Sequence, residues 1–176
     1  LRPGDRIIIS GTIGDHGMSV MSKREGLRFE TEIMSDCAPL NRLVSDMLGV
    51  CPGIHAMRDP TRGGLASTLI EFAEESGVGI VIDEKSLPVN ETVRGACEIL
   101  GLDPLYVANE GKLAAAVPAE SADAVLTAMK RNEYGKDAVI IGSVTKEPRG
   151  KVLMKTLIGG TRIIDMLSGE QLPRIC

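Results

Sequence analysis

Apolar positions recur along the chain with two periods, and each period predicts a different kind of element. Helical spacing, with apolar residues three or four positions apart, predicts helices from the 11–20 segment to about Arg24 and over 40–51, 63–77, 90–100 and 119–132. Short apolar or alternating runs predict strands at 5–10, 54–59 and 79–83, two strands within 105–118, and a hairpin of 137–147 with 150–156. Because strands and helices alternate while hairpins are also present, we expect an α/β fold of the α+β type, a mixed β-sheet with helices packed mainly on one face.

The periodic pattern ends near residue 164, and 165–176 shows neither periodicity nor a cap. Ser168 and Gly169 loosen this segment and Pro173 stiffens its tip. Fully extended, it would reach about 35–40 Å, at roughly 3.3 Å per residue. We therefore expect one domain at 1–164 and a flexible C-terminal tail at 165–176. The chain opens LRPGD without Met, so we interpret it as a piece of a longer protein cut at a domain boundary.

Composition argues against several functional classes. Aromatic residues make up 2% of the chain, Trp is absent and the formal net charge is −4, so nucleic-acid binding is not expected. No apolar run approaches the ~20 residues that span a bilayer, so no membrane association is expected. The four cysteines form no CxxC pair, which argues against a metal site, and Cys97 is expected to be an inert buried thiol. A reducing, cytoplasmic location is the expected one.

Glycines follow the first predicted strand in the sequence GTIGDHG. Gly11 and Gly14 would let backbone N–H groups approach an anion at a helix start. The spacing is neither a P-loop nor a full G-x-G-x-x-G, so a tight turn is the favoured interpretation and an anion site stays open. The two histidines, His16 and His55, are too scattered to predict a metal site or a triad, and His55 is expected to be structural.

The sequence RDPTRGGL joins a predicted strand to a predicted helix. Asp59 and Thr61 could cap the helix in the ordinary way. Gly63 and Gly64 would each lower the stability of the helix by about 1 kcal/mol, so such a pair usually has a reason. A close approach of backbone at this point explains the segment as well as ordinary N-capping does. Further along, Glu110 occupies an Asn-Glu-Gly turn between apolar runs. It is either a solvated turn residue, which is the favoured interpretation, or a base or Mg²⁺ anchor.

Cys176 is the last residue, so its thiol cannot pack as an interior cysteine does. CaaX prenylation does not apply, because the prenylated cysteine of that motif lies fourth from the end of the chain and Cys176 is the last residue. A disulfide is disfavoured in a reducing compartment. Arg174 would favour the thiolate while the terminal carboxylate would oppose it. A frayed end and a working nucleophile both stay open from the residues alone.

Five segments, taken in order, resemble the HypE family of [NiFe]-hydrogenase maturation factors. They are ISGTIGDHG, SDCAPL, RDPTRGGL, LPVNETVRGACEILGLDPLYVANEGKL and the terminal PRIC. The D-x-T-x-G-G-L portion is shared with the wider aminoimidazole ribonucleotide synthetase-related superfamily, whereas PRIC is the most specific piece. The resemblance implies that 1–164 is the C-terminal domain of such a protein. It also implies that most ligands for ATP and Mg²⁺, and the homodimer core, belong to an N-terminal ATP-binding domain absent from this chain.

The resemblance also implies a task for the terminal thiol. In the family, the carbamoyltransferase HypF loads a carbamoyl group onto the last cysteine, here Cys176. ATP then drives dehydration to a thiocyanate, and the cyano group passes to iron held by the HypC–HypD complex. On this reading Glu110 is a base or proton relay, His16 and Arg174 line the path of the tail, and the nucleotide side of the cleft is shaped by Asp59, Thr61, Gly63 and Gly64, with Gly11 and Gly14.

Two alternatives remain at this stage. One is another ATP-dependent enzyme of the superfamily, such as a selenophosphate synthetase, which needs no terminal cysteine. The other is a non-catalytic docking domain that only presents its tail. Because half of the ATP site would lie elsewhere, we expect this chain to fold by itself and to be inactive alone.

Overall fold

The computed structural model describes residues 1–24 and 32–166. Within these residues it contains seven strands and five helices. Their bounds are β1 Arg6–Ile9, α1 Asp15–Arg24, α2 Asn41–Val50, β2 Ala56–Arg58, α3 Gly64–Ser76, β3 Gly79–Asp83, α4 Glu91–Leu100, β4 Ala114–Val117, α5 Ala122–Arg131, β5 Val139–Thr145, β6 Lys151–Lys155 and β7 Thr161–Ile164. No helix in the described ranges is long and apolar enough to cross a bilayer.

The seven strands form one mixed sheet in the order β2-β4-β1-β5-β3-β6-β7. Neighbours run antiparallel except for β3 and β6, which are parallel. The interior strand β1 pairs with β4 on one side and β5 on the other. The prediction of a mixed sheet is therefore confirmed.

The three isoleucines of β1 show how the core is divided between the two faces of this sheet. Ile7 and Ile9 pack into the cluster that includes the apolar face of α3, while Ile8 points to the opposite cluster with α2 and α5. The remaining helices, α1 and α4, contact each other and share a third cluster with Val107. Helices therefore cover both faces, and the expectation that they lie mainly on one face is corrected. The reason is that strands buried on both sides need an apolar cover on each.

Two predicted strand pairings are also wrong. The run at 105–108 forms a 3₁₀ turn at Pro104–Tyr106 rather than a strand, so β4 is the one strand within 105–118. β5 and β6 do not form a hairpin, because β3 lies between them and pairs with both. β6 instead pairs with β7 through the turn at 156–160. Strands β5 and β6 are adjacent in sequence but not in the sheet, because β3 pairs with both of them.

Candidate functional site

A cavity of about 580 Å³ opens at the N-terminal end of α3. It brings together Asp59, Thr61 and Glu110, three candidate site residues predicted from the sequence. Asp59 and Glu110 are 51 positions apart in the chain. The cavity is also lined by Arg58, Arg62, Ser67, Thr68 and Glu71. Glu110 therefore faces a shared cavity rather than standing alone on a solvated turn.

The first turn of α3 explains the paired glycines. Gly63 and Gly64 have φ values of 70° and 61°, in the left-handed region where side chains are strained. A Cβ atom on Gly64 would lie 2.5 Å from the Leu105 carbonyl oxygen, so this glycine lets α3 pack directly on the 105–107 backbone. The close approach expected for the glycine pair is thus an approach of one protein backbone to another.

Asp59 and Thr61 do not cap α3 with their side chains. The residue at the cap position is Gly63, and no side-chain hydrogen bond of Asp59 or Thr61 occurs within the described residues. The backbone of Thr61 does take part, because its carbonyl oxygen accepts the Gly64 N–H at 3.0 Å. Ordinary N-capping therefore does not account for these two polar side chains, which are left to face the cavity.

Asn109 is fully buried and joins three segments of the chain. Its Oδ1 accepts the Gly14 N–H at 2.8 Å, and its Nδ2 donates to the carbonyl oxygens of Pro60 at 2.9 Å and Val107 at 3.1 Å. The glycine-rich loop and the loop before α3 are therefore held against the turn that bears Glu110. The Gly14 N–H is used inside the protein in this arrangement, so it is not free to receive an anion.

A second contact fixes the same turn from the other side. The Glu110 N–H donates to Asp36 Oδ1 at 3.0 Å. A Cβ atom on Gly111 would lie 1.8 Å from the Asp36 carbonyl oxygen and 2.6 Å from the Ala38 nitrogen, so the two backbones are in direct contact. The 109–111 turn is thereby clamped between the segment before α2 and the loop before α3.

Gly11 and His16 lie near this clamp. A Cβ atom on Gly11 would contact the Lys112 ammonium at 3.3 Å, so Gly11 leaves room for that side chain. His16 Nδ1 is 2.9 Å from Ser35 Oγ and 3.8 Å from Cys37 Sγ. His16 therefore packs against the 35–37 segment, next to the residue that holds Glu110. His55, by contrast, bonds the buried Asp5 at 2.7 Å, in agreement with its predicted structural role.

The cavity wall is charged with both signs. Arg58 forms an ion pair with Glu71, whereas Arg62 has no ion pair among the described residues. These cations and the hydroxyl groups of the lining suit an anionic ligand, while the carboxylates of Asp59 and Glu110 suit a cation or a proton. Across 1–24 and 32–166, no cluster of three or more His, Cys, Asp or Glu side chains is arranged to hold a metal ion.

The cysteines divide as their surroundings predict. Cys97 is buried, and desolvation raises the pKa of its thiol to about 11, so it is an inert thiol as predicted. Cys51 is also buried and Cys37 is exposed. Cys176, Arg174 and nearly all of the predicted tail lie outside the described residues. The last described segment is held where Tyr106 Oη donates to the Asp165 carbonyl oxygen at 2.8 Å.

Sequence reasoning missed the residues that hold the site together. Asn109 was read as part of a turn, and Asp36 and Lys112 were not singled out. One signal was available in the sequence. Asn109, Glu110 and Gly111 are three consecutive small or polar residues within the otherwise apolar segment 105–118, which is unusual. The contacts themselves join positions 74 and 95 residues apart, which no local pattern reports.

Comparison with known proteins identifies the family. Residues 2–155 match the family model described as AIR synthase related protein, C-terminal domain. The carbamoyl dehydratase HypE of Cupriavidus necator is 58% identical over 99% of this chain and 50% of its own length. A crystal structure of HypE in complex with ATP superposes with a TM-score of 0.93 at 49% identity, covering 99% of this chain and 53% of that one. A crystal structure of a HypE–HypF complex gives 0.91 at 50% identity, with 95% and 54% covered.

The chain spans about half the length of the curated relatives it matches. The family-model match covers all five helices and the strands from β1 to β6, including the loop before α3 and the 109–111 turn. The chain therefore belongs to the AIR synthase related family, and it forms that family's C-terminal domain.

Proposed function

We propose that this chain is the C-terminal part of a carbamoyl dehydratase of the HypE type, which converts a carbamoyl group on Cys176 to a thiocyanate at the expense of ATP. The identity of 58% with a carbamoyl dehydratase over 99% of the chain is the observation on which the proposal chiefly rests. The geometry agrees with it, because Glu110, Asp59 and Thr61 line one cavity that a mobile group could enter. The domain boundary at 164 and the tail at 165–176 are parts of the same proposal.

The reaction needs two things from the protein. The C–O bond of the S-carbamoyl group must break, and both N–H protons must leave as the C≡N bond forms. ATP supplies the γ-phosphoryl group that turns the amide oxygen into a good leaving group. The side chains must then accept protons and exclude water, because an activated carbamoyl group would otherwise hydrolyse.

We assign Glu110 the role of base or first proton relay. Its backbone is clamped by Asp36 and its side chain lines the cavity, so its position is fixed before any ligand arrives. Asp59, Thr61, Gly63 and Gly64 form the nucleotide side of the cleft, with Gly11 and Gly14 supporting it from the neighbouring loop. His16 and Arg174 line the path by which Cys176 enters.

Cofactors and partners follow from the same assignment. ATP binds mainly to an N-terminal domain together with Mg²⁺. HypF loads the thiol and the HypC–HypD complex receives the cyano group, and the full-length protein is a homodimer in the cytoplasm. The solved HypE–HypF and HypE–ATP complexes of similar proteins support the choice of HypF and ATP.

The proposal is tested by intact mass spectrometry of the full-length protein after incubation with HypF, carbamoyl phosphate and ATP. We expect one carbamoyl adduct on the C-terminal peptide, followed by loss of one water. Cys176→Ala should abolish both mass changes and leave ATP binding intact. A selenophosphate synthetase-like enzyme would show neither mass change, and a docking domain that only presents its tail would not lose water. Cyanation that survives Cys176→Ala would refute the proposal.

The same proposal predicts the behaviour of this chain alone. The described part has a complete sheet and three buried apolar clusters, so it should fold independently. It should not hydrolyse ATP, because the main nucleotide ligands belong to the other domain. Robust ATPase activity of the isolated chain would contradict this division of the site.

A further inference from the structure

We infer that Asp36 is a positioning residue for Glu110: its carboxyl group holds the backbone of the 109–111 turn so that the Glu110 side chain stays in the cavity. The inference rests on the role proposed for Glu110 and gives a role to Asp36, a residue of the SDCAPL segment to which the sequence alone assigned none. It follows from one hydrogen bond, one backbone contact and one oxygen without a partner.

The hydrogen bond and the backbone contact act on neighbouring residues of the turn. Asp36 Oδ1 accepts the Glu110 N–H at 3.0 Å, and the carbonyl oxygen of Asp36 lies against Gly111. Asn109 anchors the preceding residue to Pro60 and Gly14. The backbone of Glu110 is thus held on both sides. Among the described residues, Asp36 provides the only side-chain hydrogen bond to the backbone N–H of Glu110.

The second oxygen of Asp36 gives the inference its sharpest consequence. Oδ2 is buried and has no hydrogen-bond partner among the described residues. The hold on Glu110 therefore depends on Oδ1 alone. An Asn side chain presents the same acceptor and replaces only the unpartnered oxygen, so Asp36→Asn should keep the hold, whereas Asp36→Ala removes it.

The surroundings of Asp36 act on its pKa in both directions. Burial raises the pKa of Asp36, and the nearby Asp15 raises it further, while the Glu110 amide, Lys112 and His16 act in the opposite direction. The bond to the Glu110 N–H uses an acceptor oxygen that is present in both protonation states. The positioning role therefore does not require Asp36 to be ionised.

The test uses the full-length protein, loaded with a carbamoyl group by HypF, and measures the single-turnover rate of cyanation with ATP. Asp36→Ala should lower this rate about tenfold to a hundredfold, as expected for a misplaced catalytic group, while the KM for ATP changes less than about twofold. Asp36→Asn should stay within about threefold of the wild-type rate. Asp83→Ala, which removes a carboxylate bond to the Lys85 N–H far from the cavity, serves as the matched control and should change nothing.

A double-mutant cycle with Glu110→Gln shows whether Asp36 acts through Glu110. Asp36→Ala should slow cyanation by less than about twofold when Glu110 is already replaced. An Asp36→Asn rate as low as that of Asp36→Ala, or equal losses in both backgrounds, would overturn the inference. A wild-type rate for Glu110→Gln would instead remove Glu110 from the mechanism, and failure of the wild-type protein to form a cyanated product would refute the proposed function itself.

Discussion

Two glycine-containing turns of this molecule, at 109–111 and 157–160, differ in almost every contact. The 109–111 turn begins with Asn109, which is fully buried, and is bonded to segments 74 and 95 residues away. The 157–160 turn joins β6 to β7 and exposes 96% of Ile158. Its hydrogen bonds lie mostly between Thr156 and the two glycines that follow.

The difference shows where this fold places its polar contacts. The 157–160 turn reverses the chain with its own local bonds and leaves two large apolar residues in solvent. The 109–111 turn makes one local bond, from Asn109 to Val107, and is otherwise held by three other segments of the chain. It bears the carboxylate that faces the cavity. A turn held from several sides is the more suitable support for a group whose position matters.

Asn109→Ala should have the largest effect, because it would break the turn where most bonds converge. The Gly14 N–H and the Val107 carbonyl oxygen each lose a partner at roughly 1–3 kcal/mol, while the Pro60 carbonyl oxygen keeps the Asn109 backbone N–H, so the free energy of unfolding should fall by about 2–6 kcal/mol. Asn132→Ala is the matched control, since its side-chain bonds to Tyr134 and Asp46 are near the surface, and it should cost about 1 kcal/mol. Urea denaturation of both variants measures the difference, and equal losses would contradict the account.

Gly111→Ala tests the backbone contact of the same turn. The new Cβ atom would collide with backbone atoms of Asp36 and Ala38, which cannot rotate away, so we expect a loss of about 3 kcal/mol. Gly159→Ala in the exposed turn meets no atom within 4 Å and suffers only from its φ of 85°, at a cost of about 1–2 kcal/mol. If Gly159→Ala proved the more damaging of the two, the contrast between the turns would be wrong.

The pH dependence of stability tests the half-buried carboxyl group of Asp36 next to the 109–111 turn. Since the folded-state pKa of Asp36 is raised above 3.8, its contribution to stability is fully present below that pH and is lost as pH rises through the raised value. Wild-type protein should therefore lose stability relative to Asp36→Asn as pH rises from about 4. Urea denaturation across this range provides the measurement, and a difference that does not vary with pH would contradict the assignment.

The smallest effect is expected in the exposed turn. Ile158→Ser replaces an almost fully exposed side chain and should change the free energy of unfolding by less than about 0.5 kcal/mol. Thermal denaturation with and without the substitution is sufficient to check this. A large loss of unfolding free energy would mean that Ile158 packs against other residues, and the contrast between the two turns would then be wrong.

Local pattern was enough to predict most elements but not the contacts between them. The isoleucine run of β1 and the helix from Gly64 to Gly77 follow from spacing and a glycine end signal. The insertion of β3 between β5 and β6 does not, because strand order depends on packing over the whole sheet.

The site shows the same limit. Asp59, Thr61 and Glu110 could be singled out as chemically suited residues, and the structure brings them to one cavity. Asp36 and Asn109 could not be assigned from spacing, because their partners lie far away in sequence. Residue types predict which groups can react, whereas the buried bonds that hold them emerge from tertiary structure.

The central claim is that the 109–111 turn holds Glu110 where it serves the dehydration of the group on Cys176. Its most direct test is the mass of the full-length Glu110→Gln protein after incubation with HypF, carbamoyl phosphate and ATP. The account predicts that the carbamoyl adduct forms on the C-terminal peptide and loses water about a hundredfold or more slowly than in the wild-type protein, at a residual rate that can still be followed. Loss of water at the wild-type rate would contradict it.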